Sequence, residues 1–218
     1  MMMDKNQPLL IPVLYLGNIQ YWTKIINHHV ILFNDLELYP KGTYRNRCHI
    51  GSSQGILRLS IPLVGGKHAG QKYTEVKIDQ KENWQKRHWQ SICTCYGSAP
   101  FYHHYAEKLK VIYETPHSNL WEWNVHLTML MMEWLEIETS KFTLLSAKEK
   151  DLNYADLGQF FSPKPRFNKT DELWEAYTYP QIFERTLGFL PNCSILDLIF
   201  CQGPYALNIL KKSYLSVK

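Results

Sequence analysis

The chain has 218 residues, of which 45% are hydrophobic and 20% charged, and its formal net charge is +4 at neutral pH. This length fits one domain with a sizeable core, and the composition excludes a disordered chain. So small a charge does not call for a nucleic-acid or membrane partner. The sequence begins without the pattern of a secretory signal and has no run long enough to span a membrane, so we expect a cytoplasmic protein.

The first part of the chain predicts an α/β unit. Residues 9–16 form an apolar run that is typical of a buried strand, and residues 18–27 place large apolar side chains on one helical face. A second apolar run at 29–35 predicts another strand. Residues 36–50 contain proline and glycine and show no apolar period, which predicts a loop.

The middle of the chain predicts a strand pair followed by helices. Residues 55–64 alternate like a strand, and residues 73–79 are expected to be its partner across a glycine-rich connection. Apolar side chains at helical spacing then predict helices over 83–96, 100–113 and 118–137.

The C-terminal part is less regular at first. Residues 142–146 predict a returning strand, and the polar, proline-bearing residues 147–172 predict a surface excursion. Beyond it, Asn192 or Ser194 is placed to cap a short helix that Gly203 ends.

Together these elements predict one domain over residues 1–218, with the excursion near 147–172. The fold class is α/β: a short mixed sheet flanked by helices, with a helical central section and C-terminal helices.

An acid-free stretch is the main functional signal. Residues 38–74 carry six Lys or Arg side chains and no Asp or Glu. The planar guanidinium of Arg fits phosphate and carboxylate groups, so Arg45 and Arg47 are candidates for holding an anion. If this segment is extended, the two arginines point to one side while Tyr44 and Asn46 point to the other.

Structural alternatives are open for these residues. The arginine pair could instead be held by distant acids such as Asp35, Glu37 or Asp197. His88 follows Trp84 at helical spacing, so it is either a core histidine or a proton carrier with a pKa near neutrality. The adjacent histidine pairs lack the spacing of a helical metal site, and no metal ligand is expected.

Five stretches occur in the order and spacing of the WbqC-like family, and the chain resembles that family over most of its length. They are YLGNIQYW, YRNRCHI, LSIPLV, NWQKRHWQSICTCYGSAPFYHHY and GFLPNCSILDLIFCQG. The resemblance implies a role in bacterial surface polysaccharide (O-antigen) biosynthesis. It also implies a transferase, for example of glycine or of an acyl or aminoacyl group to a sugar, but it brings no catalytic set.

The candidate site combines the residue chemistry with positions that match the family pattern. The catalytic candidates are Asp35 and His88. The substrate-binding candidates are Gln20, Lys41, Tyr44, Arg45, Asn46, Arg47, Tyr179 and Gln181. The chain departs from the pattern in two places: Ile11–Pro12 stands where family members often have Gln-Pro, and the polar stretch 147–172 replaces a glycine-containing strand.

Two functions of different classes are predicted. In the first, a cytoplasmic transferase uses a phosphate-bearing donor such as a nucleotide sugar or an aminoacyl adenylate. Arg45 and Arg47 would hold the phosphates, the neighbouring Tyr and Asn side chains would orient the acceptor, and His88 or Asp35 would accept a proton.

In the second, a non-catalytic module binds an anionic glycan, a nucleotide or a partner protein on the same basic face. RNA binding is not expected, because no RRM or KH signature is present. A general base in the same pocket as the arginines would distinguish the enzyme from the binding module. The sequence names no cofactor and no oligomeric state.

Overall fold

A computed structural model of the chain describes residues 7–65, 70–147, 153–158, 161, 163 and 171–215. The fold is mixed α/β, as predicted, with a four-stranded parallel sheet and a two-stranded antiparallel hairpin. The strands are β1 (Leu9–Ile11), β2 (Ile31–Phe33), β3 (Arg47–Ser52), β4 (Gly55–Ser60), β5 (Phe142–Leu144) and β6 (Ala155–Asp156). The helices are α1 (Ile19–Ile26), α2 (Trp84–Tyr96), α3 (Tyr102–Glu114), α4 (Leu120–Trp134), α5 (Glu184–Leu187), α6 (Ile195–Gln202) and α7 (Ala206–Lys212).

The parallel sheet has the strand order β5-β2-β1-β6. Its central strands β1 and β2 are buried along their whole length, which explains why they appear in the sequence as continuous apolar runs. Helix α1 connects them and is capped by the Asn18 side chain, which accepts a hydrogen bond from the Tyr21 amide at 3.1 Å. The strands predicted within 9–16, 29–35 and 142–146 are confirmed in shorter form.

Strand β6 was not predicted. It lies within residues 147–172, which the sequence assigned to a surface excursion, and it pairs in parallel with β1. Most of that stretch lies outside the described residues, so the excursion stays a prediction. In the pairing of β6 with β1, Leu9 lies opposite Ala155.

The hairpin corrects the predicted strand pairing. Strand β4 pairs with β3, which begins at Arg47 inside the predicted loop 36–50. Residues 73–79 are therefore not its ladder partner; they begin with a 3₁₀ turn and make only isolated bridges. The tight connection between β3 and β4 ends at Gly55, whose φ of 101° suits glycine. The sequence signal was weak because the alternation of polar and apolar residues in β3 covers only residues 47–50, before Gly51 and Ser52.

The three central helices and the helix after residue 194 are confirmed. Trp84 of α2 and Trp123 of α4 are fully buried and meet edge to face, with ring centroids 5.1 Å apart. Ser194 caps α6 by accepting a hydrogen bond from the Leu196 amide at 3.4 Å, and Gly203 follows the helix with a φ of 53°. Among the described residues, no helix is long and apolar enough to span a membrane.

Candidate functional site

Arg45 is buried in an ion pair. Its Nε donates to Glu37 Oε1 at 2.7 Å, and its Nη2 donates to Glu37 Oε2 at 2.5 Å. Only 4% of Arg45 is exposed, and its backbone carbonyl accepts a hydrogen bond from the Asn124 amide group of α4 at 2.6 Å. The acid-free window therefore has a carboxylate just outside it, and Arg45 anchors the loop between β2 and β3 to the core.

Arg47 occupies a different environment, at a surface cavity of about 330 Å³. We name this cavity the Arg47 pocket; it is lined by Tyr39, Lys41, Gly42, Asn46, Arg47, Ile61, Pro62 and Leu63. The chain turns into the pocket at Gly42, whose φ of 73° suits glycine. None of the ion pairs found among the described residues involves Lys41 or Arg47. The pocket therefore carries positive charge that no described carboxylate balances.

Two buried polar atoms at the Arg47 pocket lack partners in the described part of the chain. They are Arg47 Nε, a donor, and Asn46 Oδ1, an acceptor. The Asn46 amide nitrogen donates to the Ile61 carbonyl at 3.0 Å, which fixes the orientation of that side chain. Burial and the neighbouring Arg58 lower the pKa of Arg47, so the fold destabilises this cation. A bound anion would relieve that destabilisation.

His49 and Arg58 extend the positive charge along the hairpin. Arg47 and His49 share one face of β3 by alternation, and His49 lies directly opposite Arg58 of β4. Burial, followed by the charges of Arg47 and Arg58, lowers the pKa of His49, so its imidazole is neutral at neutral pH. The Tyr44 hydroxyl lies 3.4 Å from His49 Nδ1. Sequence reasoning missed His49, although alternation from Arg47 would have placed it on this face.

His88, a catalytic candidate from the sequence, lies in the core. It is 6% exposed, and its Nδ1 accepts a hydrogen bond from the Tyr15 hydroxyl at 2.8 Å. The Tyr15 hydroxyl also contacts that of Tyr113. Burial lowers the pKa of His88 to about 4, although a hydrogen bond to the Ser60 backbone acts in the other direction. The side chain is thus neutral in the folded protein and is not part of the Arg47 pocket.

This burial predicts a pH dependence of stability. The unfolded chain binds a proton at His88 near pH 6.5, whereas the folded chain does so near pH 4. Stability from the neutral imidazole is present above pH 6.5 and is lost as the pH falls towards 4, by about 3 kcal/mol. In urea denaturation from pH 7 to 4, His88→Gln should lose less stability than the wild type by about that amount. His104→Gln, at an exposed position, is the control, and a wild-type slope in His88→Gln would contradict the prediction.

Asp35 and Gln20 lie elsewhere. Asp35 follows β2 at the carboxyl edge of the parallel sheet and accepts a hydrogen bond from the Ser146 amide at 3.0 Å. Gln20, in the first turn of α1, donates to Asp171 Oδ2 at 2.8 Å and accepts from the Asn192 side chain at 3.3 Å. Asp171 also pairs with the buried Lys24 at 2.8 Å. Neither Asp35 nor Gln20 lines the Arg47 pocket.

Tyr179 and Gln181 surround a buried carboxylate. Asp197, 3% exposed, accepts hydrogen bonds from Tyr96 at 2.9 Å, Tyr179 at 2.6 Å and Gln181 at 2.7 Å. Burial raises the pKa of Asp197, and these three donors oppose the rise. The carboxylate therefore accepts from these three side chains, whereas the Ser194 amide at the start of α6 donates to the His49 carbonyl at 2.7 Å. We name Asp197 and its three donors the Asp197 cluster.

In each of two larger surface cavities, a basic side chain already forms an ion pair. One, of about 630 Å³, lies between the hairpin turn and α2, and its Arg87 is paired with Glu82. The other, of about 380 Å³, lies beside α3 and α4, and its Lys108 is paired with Glu133. The Arg47 pocket is smaller, but among the described residues two of its buried polar atoms lack hydrogen-bond partners and its two cations form no ion pair. We therefore take it as the candidate functional site.

The fold and the site define a mixed α/β protein whose antiparallel hairpin presents, at a surface pocket, a guanidinium that forms no ion pair with the residues that the structure describes. The chain belongs to the WbqC-like protein family, whose model matches residues 7–159. That range contains the hairpin and the whole Arg47 pocket, but not the residues of the Asp197 cluster that follow residue 159.

One relative shows how far the similarity extends. The chain is 29% identical over 205 residues to a Mycobacterium tuberculosis protein named "Uncharacterized protein Rv1507c". The similarity covers 83% of this chain and 87% of the relative. No solved structure matches the chain.

Proposed function

We propose that this protein binds a phosphate-bearing small molecule in the Arg47 pocket. The observation that carries the proposal is the Arg47 side chain, which is half-buried at a cavity and makes no ion pair with the described residues. Lys41 adds a second cation at the mouth of the pocket. A planar guanidinium binds two phosphate oxygens at once, which suits this position better than a diffuse surface charge would.

The different environments of Arg45 and Arg47 support this proposal. Arg45 is held by Glu37 and fixes the loop, so the adjacent pocket keeps its shape before a ligand arrives. A preorganised site loses less conformational entropy on binding. Of the two guanidinium groups that the sequence indicated, Arg47 is therefore the one that we assign to the ligand.

A transferase acting on that ligand is a second candidate, and His49 favours it. Asp35 and His88 do not line the pocket, but His49 is a neutral, partly exposed imidazole on the same strand face as Arg47. Such a group can take a proton from an attacking hydroxyl or amine. Transfer of glycine or an acyl group to a sugar in surface polysaccharide biosynthesis is the activity implied by the family resemblance. Mass spectrometry of the protein incubated with a bound donor and sugar acceptors distinguishes turnover from binding alone.

Arg47→Ala tests the binding proposal. Nucleotide sugars, ATP with amino acids, and inorganic phosphate are screened by thermal shift, and the dissociation constant of the best ligand is measured by calorimetry. A ligand at about 100 times its Kd should stabilise the wild type by about 2.7 kcal/mol. Arg47→Ala should weaken binding about tenfold or more, because a hydrogen bond to a charged group contributes about 1.5–3 kcal/mol.

Arg185→Ala removes an exposed arginine outside the pocket and is the matched control. It should bind as the wild type does. The proposal is wrong if no phosphate-bearing ligand stabilises the protein, or if the two variants lose the same affinity.

A further inference from the structure

The outer face of the hairpin carries a row of three basic side chains rather than a single anion-binding group. Arg47 and His49 lie two residues apart on β3, about 7 Å along the strand. Arg58 of β4 lies directly opposite His49, at a cross-strand spacing of about 5 Å between Cβ atoms. The row leads from the Arg47 pocket along an open surface, because Arg58 is exposed.

The row is electrostatically unbalanced. Burial lowers the pKa of both Arg47 and His49, and the charge of Arg58 acts in the same direction on both groups. None of the ion pairs found in the described ranges involves Arg58. Like charges held together on a rigid strand pair destabilise the free protein, and a ligand that neutralises both arginines removes the repulsion.

Arg47 and Lys41 line the Arg47 pocket but Arg58 does not, so a single phosphate bound in the pocket lies beside the first two cations and leaves the exposed Arg58 outside. From these placements we infer that the ligand carries a diphosphate: one phosphoryl group lies in the Arg47 pocket and the next lies along the hairpin, against Arg58 and beside His49. This inference rests on the proposed function and narrows the ligand from any phosphate ester to compounds with two linked phosphoryl groups. The Nε hydrogen of Arg47, a buried donor without a partner among the described residues, is then available to the phosphoryl group that enters the pocket.

The test compares inorganic phosphate with inorganic pyrophosphate by calorimetry at one pH and one ionic strength. Pyrophosphate should bind the wild type at least about tenfold more tightly, since a second charge-assisted contact forms. Arg58→Ala should remove that preference and leave the affinity for phosphate within about twofold. Arg47→Ala should weaken the binding of both anions, and Arg185→Ala should weaken neither.

A second readout follows the His49 imidazole by NMR. Pyrophosphate should shift its ring resonances in the wild type more than phosphate does, and the difference should disappear in Arg58→Ala. This readout needs no tight binding, and Arg58→Ala removes only an exposed side chain, so the variant should fold.

The two proposals fail in different ways. If neither anion binds and Arg47→Ala changes nothing, the proposed function is wrong and the diphosphate inference falls with it. If both anions bind with equal affinity, or if the preference for pyrophosphate survives in Arg58→Ala, the pocket still holds phosphate but the diphosphate assignment is wrong.

Discussion

Replacing Arg45 with methionine is expected to lower the free energy of unfolding by about 3–5 kcal/mol, since the change leaves the Glu37 carboxylate without its partner in a largely buried position. The Glu37 side chain is only 14% exposed, so water compensates for little of the loss. The measurement is urea denaturation at neutral pH.

A double variant separates the cost of an unpaired buried Glu37 carboxylate from the loss of its contact with Arg45. Arg45→Met combined with Glu37→Met should be more stable than either single variant, because no uncompensated charge then remains in the interior. Lys108→Met breaks an exposed pair, with side chains 62% and 58% exposed, and should cost less than about 1 kcal/mol. Equal losses for Lys108→Met and Arg45→Met would show that Arg45 does not anchor the loop.

Replacing Asp197 with alanine should lower the free energy of unfolding by about 3 kcal/mol. The change leaves the hydroxyls of Tyr96 and Tyr179 without their acceptor, and each buried unsatisfied donor costs about 1–3 kcal/mol. The amide nitrogen of Gln181 loses one acceptor but still donates to the Leu190 carbonyl at 3.0 Å. Relief of the desolvation of the carboxylate offsets part of that cost. Thermal and urea denaturation should both report the loss.

Asp197→Asn provides a finer test, which also serves if the alanine variant does not fold. Asparagine keeps one acceptor oxygen but turns an NH₂ group towards one of the three donors, so its loss should lie between those of the wild type and the alanine variant. Asp156→Ala, which removes an exposed carboxylate that accepts from the nearby Gly158 amide, is the control and should change stability by less than about 1 kcal/mol. An unchanged stability of Asp197→Ala would mean that the cluster is not structural.

The class of fold could be predicted from the sequence because its elements carry strong local patterns. The runs that became β1 and β2, and the stripe of Trp123 and its neighbours on α4, show their burial directly as apolar periodicity. The partner of β4 could not be predicted in the same way. The hairpin partner is close in sequence, but only Cys48 and Ile50 of β3 are apolar and buried, and the Gly51 and Ser52 that follow them are typical of a turn.

Only some residues of the candidate site could be predicted from the sequence, because tertiary contacts decide the environment of each side chain. The absence of acids between residues 38 and 74 indicated the stretch of chain that holds both arginines, but the local window could not show that Glu37, one residue before it, folds back onto Arg45. Arg47 differs from Arg45 through tertiary contacts alone. Tyr179 and Gln181 were predicted as ligand-binding side chains from the family pattern, whereas in the structure both donate to Asp197.

The backbone of His49 links the hairpin to the end of the chain. Its carbonyl accepts a hydrogen bond from the Ser194 amide at 2.7 Å, and the Ser194 hydroxyl donates in turn to the Leu16 carbonyl at 2.8 Å. A ligand bound on the outer surface of the hairpin is therefore separated from the start of α6 by one backbone hydrogen bond. A ligand that reduces the motion of β3 should slow hydrogen–deuterium exchange at the Ser194 amide. The exchange rate of this amide therefore reports whether the site is occupied.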